Sequence, residues 1–343
     1  MKKVSVIIPF HNASKYIVPC IQSLINQTIG FENIEVIAVD DCSTDDTLKM
    51  LSDYQSRYPE SIKVIPLAEN VMQGAARNAA LSHAAGEFLD YVDADDYMHP
   101  TAYEKLYRIA RQNNLDMLEY LYAPVKDHDT FLAQTRTEQK DLIIDVSAVP
   151  DKRQFILEGN FLRGCWNKFY RLDFVKKNSL RYAEGVYDEE SLFTNMAAIT
   201  CRRYGFLAEC FYYYFQNPEG TCYDKAKDIE RRYDNAKVWY ELIMELDERG
   251  LLKDIYNEFA IVFIANYLLR TIGFSITRKL PLEFDAVNTM QATINAYFPD
   301  IHDNPYIKAD PAWRNFSKWI GAGIGPGNVR DFIKDASAIP NVF

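Results

Sequence analysis

The chain lacks most features that mark stapled, nucleic-acid-binding or membrane-spanning proteins. Its six cysteines, Cys20, Cys42, Cys165, Cys201, Cys210 and Cys222, are scattered through 343 residues with no C-x-x-C pair. A disulfide framework belongs to short secreted chains, so reduced and mostly buried thiols in a cytoplasmic protein are expected. Positive charge is in deficit, with 38 Lys and Arg against 48 Asp and Glu and a net charge of −10. That argues against an extended phosphate-tracking surface and against nucleic acid as the main ligand, although a local basic pocket remains compatible. The apolar run Val4–Phe10 ends at once in His11-Asn12 with no small-residue cleavage site, so no signal peptide is expected. Phe259 to Leu269 is interrupted by Asn266 and is short of the about 20 residues of a spanning helix. There is no internal repeat, no low-complexity tract and no strong basic amphipathic helix, which leaves peripheral membrane contact as the most a bilayer would see.

What is present is globular: 48% apolar, 25% charged and 14% aromatic residues, among them 23 Tyr and 20 Phe. Such a chain buries a large core and keeps rings for a cleft. At about 150 residues per domain, two domains are expected. The β-branched run Val4–Pro9 reads as a strand buried on both faces, and Tyr16 to Ile25 follows at helical spacing with Asn12 or Ser14 as a cap. Ile34–Val39 is a second strand, after which Ser43-Thr44-Asp45-Asp46 has the form of a capping box and opens a helix. Ile62–Ile65, the alanine-rich Gln73–Ala84 and Glu87–Val92 continue the alternation as strand, helix and strand. This spacing predicts βαβ units in an α/β fold, with a mostly parallel sheet and flanking helices. Right-handed crossovers then bring every strand's C-terminal end to one edge, where open α/β sheets bind ligands.

Further on, Thr101–Met117 is helical in pattern, Ala123–Gln139 is a polar loop or edge hairpin, and Phe211–Phe215 is a strand. Beyond Asn217-Pro218-Glu219-Gly220 the pattern becomes mainly helical, which sets a boundary near 218. The organisation expected is 1–120 and 121–217 as two halves of one α/β domain, then a helical region, 218–343, whose tail from Gly321 is irregular. The apolar face of Trp239, Leu242, Ile243 and Leu246 suits either packing on an acceptor side or a homodimer.

Chemistry concentrates at the predicted sheet edge. Asp93 and Asp95 alternate at the end of a buried strand and continue into a turn, where two carboxylates suit one divalent cation, or a cation and a ribose. Hard Mg or Mn ions take few carboxylates plus substrate phosphates, and the absence of a neighbouring histidine or thiolate disfavours zinc. The plainer reading is that these acids cap the helix near Thr101. Asp40-Asp41 ends the neighbouring strand, where a carboxylate can accept from a base imide N–H. Arg77, in the first turns of the alanine-rich helix, suits a phosphate, or else is a surface arginine. Asp90 interrupts its apolar strand and is expected at an exposed position on one face.

Ser5-Val6-Ile7-Ile8-Pro9-Phe10-His11-Asn12, Val39-Asp40-Asp41-Cys42-Ser43-Thr44-Asp45, Gly74-Ala75-Ala76-Arg77-Asn78 and Val92-Asp93-Ala94-Asp95-Asp96 stand in an order and spacing that resemble the family 2 glycosyltransferases of the GT-A fold. The resemblance is strong over residues 1 to about 120 and weaker from about 160 to 215, through Trp166-Asn167-Lys168 and the acidic triplet Asp188-Glu189-Glu190. It implies inverting, metal-dependent transfer of a hexosyl or N-acetylhexosaminyl unit from a nucleotide-sugar donor, usually a UDP-sugar, to a glycan or lipid-linked glycan, as in polysaccharide or glycoconjugate biosynthesis, in the cytoplasm or at the inner membrane face.

Carried over by position, Pro9 and His11 line the base pocket, Asp41 meets the base, Arg77 approaches the diphosphate, Asp93 the ribose or metal, and Asp95 ligates Mn or Mg. His11 stands where the family usually has Tyr. The family's Glu-Asp pair reads here as the triplet, and counting back from Phe193 makes Glu190 the general base. A one-residue slip makes it Asp188 or Glu189, and the bland alternative is an acidic helix N-terminus. Trp166 and Lys168 frame the acceptor side, or are a core Trp beside a surface Lys. Competing functions are a catalytically silent nucleotide-binding module and a sugar nucleotidyltransferase; the latter needs a glycine-rich loop that Pro9-Phe10-His11-Asn12 does not supply.

Overall fold

The computed structural model describes residues 2–127, 137–158, 164–220 and 227–339. The chain divides into two compact units. One comprises Met1–Ala148, Phe161–Gly185 and Glu189–Tyr223; the other comprises Val149–Asn160, Val186–Asp188 and Asp224–Phe343. Cys222 lies outside the described residues.

The first unit opens with β1 (Val4–Phe10), α1 (Ile17–Ile25), β2 (Ile34–Asp40), α2 (Thr47–Arg57), β3 (Ile62–Pro66), α3 (Met72–Leu81) and β4 (Phe88–Tyr91). All seven residues of β1 are buried, as a central strand covered on both faces must be. β1 pairs in parallel with β2 and β4, and β2 with β3, so the parallel sheet expected from the spacing is present here. The unit continues through β5 (Tyr97–Met98), α4 (Ala102–Gln112), β6 (Met117–Val125), β7 (Leu142–Asp145), β8 (Lys168–Arg171), α6 (Leu172–Lys177), α7 (Glu190–Thr200) and β9 (Arg203–Phe215); α5 (Val149–Glu158) belongs to the other unit.

Beyond β4 the sheet becomes mixed. Its order is β3-β2-β1-β4-β8-β6-β9-β5, with β7 also on β9; β8 is antiparallel to β4 and β6, and β9 is parallel to β6. Tight packing fixes its lower edge. A Cβ on Gly86 would lie 2.6 Å from the Ser5 backbone nitrogen, so only glycine lets the chain cross there.

Local expectations meet several corrections. Neither Asn12 nor Ser14 caps α1, whose N-cap is Tyr16 without a side-chain bond. Asn12 instead accepts from the Thr44 N–H at 2.8 Å, tying the loop after β1 to the loop after β2. The capping box does not form either; Asp45 accepts from the N–H groups of Thr47 and Ser14 at 3.0 and 3.1 Å. Slight burial opposes ionisation of Asp45, but these bonds hold its carboxyl down at about 2. The tail is not irregular throughout, because α14 (Val329–Ser337) buries Phe332 and Ala336 at four-residue spacing once the glycines end.

The second unit is helical: α5, α8 (Asp234–Glu248), α9 (Tyr256–Phe263), a π-helical segment Ile264–Leu269, α10 (Arg270–Thr277), α11 (Phe284–Tyr297), α12 (Pro305–Ala309), α13 (Pro311–Ser317) and α14. The apolar face of α8 is buried here, with Trp239 stacked on Phe259 at 6.2 Å. The helical run Tyr256–Thr277 spans 22 residues and is apolar enough, by length and composition, to cross a membrane; the stretch around Asn266 is therefore longer than the sequence pattern suggested. Since 67% of its apolar window is buried inside the protein, it reads as a core helix.

Asp90 overturns its expectation. It is fully buried, and the Tyr120 hydroxyl sits 3.0 and 3.2 Å from its two oxygens. Burial pushes its carboxyl well above the usual range, against hydrogen bonds from Tyr120 and the Tyr91 N–H. The folded state therefore keeps a proton that the unfolded chain loses near 3.8. The stability from this group is complete below that pH and declines as pH rises toward the folded value. In urea titrations between pH 4 and 7, Asp90→Asn should gain on the wild type as pH rises; a constant difference would show that Asp90 titrates alike in both states.

Candidate active site

Four loops following β1 to β4 meet at the C-terminal edge of the parallel half. His11 Nδ1 lies 2.7 Å from the Asp41 carbonyl oxygen, and Asn12 Nδ2 lies 3.1 Å from His11 Nε2. Pro9 is buried in β1 against Val39. Asp41 is also buried, and its Oδ1 accepts from the Val71 N–H at 2.7 Å, which secures the segment leading into α3. Asn12, Cys42 and Met72 have positive φ, so the chain passes through the left-handed region in three segments at this edge.

The acidic run after β4 separates into distinct environments, because it leaves the strand and turns, with the Asp96 N–H bonded to the Asp93 carbonyl. Asp93 reaches Arg77 at 2.8 Å. Asp95 accepts from Asn217 Nδ2 at 2.9 Å. Asp96 is fully buried, held by the Tyr212 hydroxyl at 2.6 Å and the Phe215 N–H at 2.7 Å. Burial first, then the charges of Asp93 and Asp95, push the Asp96 carboxyl well up. Asp96 is thus a structural acid, while Asp93 and Asp95 face the loops.

Arg77 is not a surface arginine. Its side chain is 1% exposed, with Nη1 2.6 Å from Glu189 Oε1, Nη2 2.8 Å from Asp93 Oδ1, and the guanidinium 5.2 Å over the Tyr182 ring. Glycine permits this approach: a Cβ on Gly74 would lie 2.2 Å from the Ala183 carbonyl and 2.9 Å from Glu189 Cγ. Asn78 fastens the same segment, accepting from the Tyr182 N–H and donating to the Tyr182 carbonyl.

The triplet divides in the same manner. Asp188, at φ 60°, stands 3.7 Å from Arg270. Glu189 is buried on Arg77; burial raises its carboxyl and Arg77 opposes the rise. Glu190 is the first residue of α7 and half-buried. Lys168 is no surface lysine: fully buried, it donates to the Gly164 carbonyl and Asn167 Oδ1 at 2.8 and 3.0 Å. Trp166 is half-buried among Tyr122, Tyr212 and Tyr214. Sequence reasoning missed Asn217, which it read only as a turn, and the tyrosines that buttress the acidic run. Among the described residues no three His, Cys, Asp or Glu side chains form a metal-binding group. A carboxylate pair suits a hard cation that completes its shell from substrate phosphates, and does not suit zinc.

A sheet of this topology, with loops of this kind on its parallel edge, defines a GT-A domain. The family model of glycosyl transferase family 2 matches residues 5–175, and the chain belongs to that family. It is 26% identical over 282 residues to the poly(ribitol-phosphate) beta-glucosyltransferase of Bacillus spizizenii, covering 82% of this chain and 42% of that protein. It is 28% identical to the poly(ribitol-phosphate) beta-N-acetylglucosaminyltransferase TarS of Staphylococcus aureus, over 86% of this chain and 50% of TarS. The chain spans about half the length of these curated relatives. The crystal structure of S. aureus TarS 1-349 in complex with UDP-GlcNAc superposes with a TM-score of 0.69 at 23% identity, over 98% of this chain and 91% of that one.

Removing Arg77 would leave Asp93 and Glu189 facing each other without a counter-ion. Arg77→Ala should cost about 3–5 kcal/mol in urea unfolding at neutral pH, somewhat less to the extent that Asp93 rehydrates. A loss below about 1 kcal/mol, the scale of surface pairs, would show the bridge to be dispensable.

Proposed function

We propose that this protein transfers a sugar, with inversion, from a UDP-sugar to a hydroxyl of a glycan or polyol-phosphate polymer. The observation that carries the reading is the Arg77 bridge. One buried guanidinium fixes Asp93, on the donor edge, and Glu189, next to the Glu190 that opens α7. The relatives' names supply the donor classes, glucose and N-acetylglucosamine, and a ribitol-phosphate acceptor.

In this reading Pro9, His11 and Asp41 line the uracil pocket, and Asp41 accepts from the base imide. Arg77 serves the diphosphate indirectly, by orienting Asp93, because its two Nη atoms are already engaged. Asp95 and Asp93 would hold a Mg or Mn ion, which supplies charge neutralisation to the departing diphosphate. Glu190 accepts the acceptor hydroxyl's proton as that oxygen bonds to the anomeric carbon. The bond from that carbon to the diphosphate oxygen breaks, its electron pair leaves with UDP, and the anomeric configuration inverts.

Glu190→Gln should lower transfer by about 10²–10⁴-fold with UDP affinity unchanged, as loss of a general base does. An equal or larger loss in Asp188→Asn, with Glu190→Gln active, would move the base to Asp188. Isothermal titration of UDP with and without Mn tests the cation. The wild type should bind more tightly with Mn and Asp95→Asn should not, whereas equal binding in the wild type would remove the metal from the scheme.

A further inference from the structure

The rings around Trp166 are more than core. From the paired strands β6 and β9, Tyr122 stands opposite Tyr212 and Pro124 opposite Tyr214, so these four residues share one face of the sheet. Trp166 packs into this face. It is stacked with Tyr214 at 5.6 Å and 18°, tilted on Tyr212 at 4.8 Å, and meets Tyr122 edge-on at 4.8 Å. Tyr122 is 48% exposed, and Trp166 and Tyr214 are half-buried, so the cluster passes from core to surface across a few side chains.

The cluster is continuous with the candidate site. The Tyr212 hydroxyl accepts from the Asp93 N–H at 3.1 Å and donates to Asp96 at 2.6 Å, which places the Trp166 indole one ring away from the acidic run. Its mount is rigid. The Trp166 carbonyl lies 3.1 Å from the Tyr120 hydroxyl that also reaches buried Asp90, and the neighbouring Asn167 donates to the Tyr120 carbonyl. The adjacent cation, Lys168, is turned inward and fully buried.

We infer that Trp166, Tyr122 and Tyr214 form an acceptor platform that takes a pyranose ring. A pyranose has a flat, C–H-lined face that covers aromatic carbon while its edge hydroxyls stay hydrated. An open polyol phosphate is a poorer occupant, since it has no such face and loses many rotamers on binding. The inference deepens the proposed transferase reading and rests on it for the word acceptor; the ring-binding surface stands on its own geometry.

Saturation-transfer NMR on the whole chain with UDP, using cellotetraose, chitotetraose and ribitol 5-phosphate as probes, tests it. At least one tetrasaccharide should receive saturation on its ring-face protons, and ribitol 5-phosphate little. Tyr122→Ala, at an exposed position, and Trp166→Phe should each weaken that tetrasaccharide by about three- to tenfold, the worth of one aromatic contact, with UDP affinity unchanged. Neither sugar binding, both variants binding as the wild type does, or ribitol 5-phosphate saturating equally would each overturn the platform. Sugar binding without UDP binding would leave the platform standing and overturn the transferase reading. UDP binding without sugar binding would do the reverse.

Discussion

A single guanidinium organises the acidic end of this sheet. Asp93 and Glu189 come from segments 96 residues apart in sequence, and like charges so placed would repel each other in a poorly solvated site. Arg77 resolves this by giving one Nη to each. The planar fork matters, because a lysine offers a point charge and would not hold two carboxylates in fixed directions. The turn after β4 and the start of α7 are thereby both tied to α3 through one side chain.

Around that bridge, burial sets the acids apart by environment. Asp90 and Asp96 are buried under tyrosine hydroxyls, and their carboxyls are pushed toward the neutral form. Both acids anchor tyrosine hydroxyls, Asp90 that of Tyr120 and Asp96 that of Tyr212. Asp93 and Asp95 face the loops, where the proposed cation and diphosphate would sit. Chemically similar side chains thus take different parts through desolvation alone.

Much of this was legible beforehand, for definable reasons. Strand and helix periodicities over residues 4–92 are strong and local, and topology rules then carry Asp41, Asp93 and Asp95 to one edge. Asp90 was misread because an acid in an apolar strand looks solvent-facing unless its phenol partner, thirty residues away, is known. Lys168 was misread for the same reason, its partners being a loop carbonyl and a neighbouring amide. Arg77 at an alanine-rich helix start looked open to phosphate, and only the segment around Glu189 closes over it. The C-terminal glycines hid α14, whose two buried positions are a weak periodic signal.

Sequence by itself determined the parallel half-sheet, the family, and the list of acids available for chemistry, since these follow from nearest-neighbour pattern and chain connectivity. Tertiary structure decided which acid faces which partner: Asp93 and Glu189 on Arg77, Asp95 on Asn217, Asp96 under Tyr212, and Trp166 laid across β6 and β9. Those pairings depend on desolvation and on contacts between residues distant along the chain. Neither quantity is a property of any local stretch of residues.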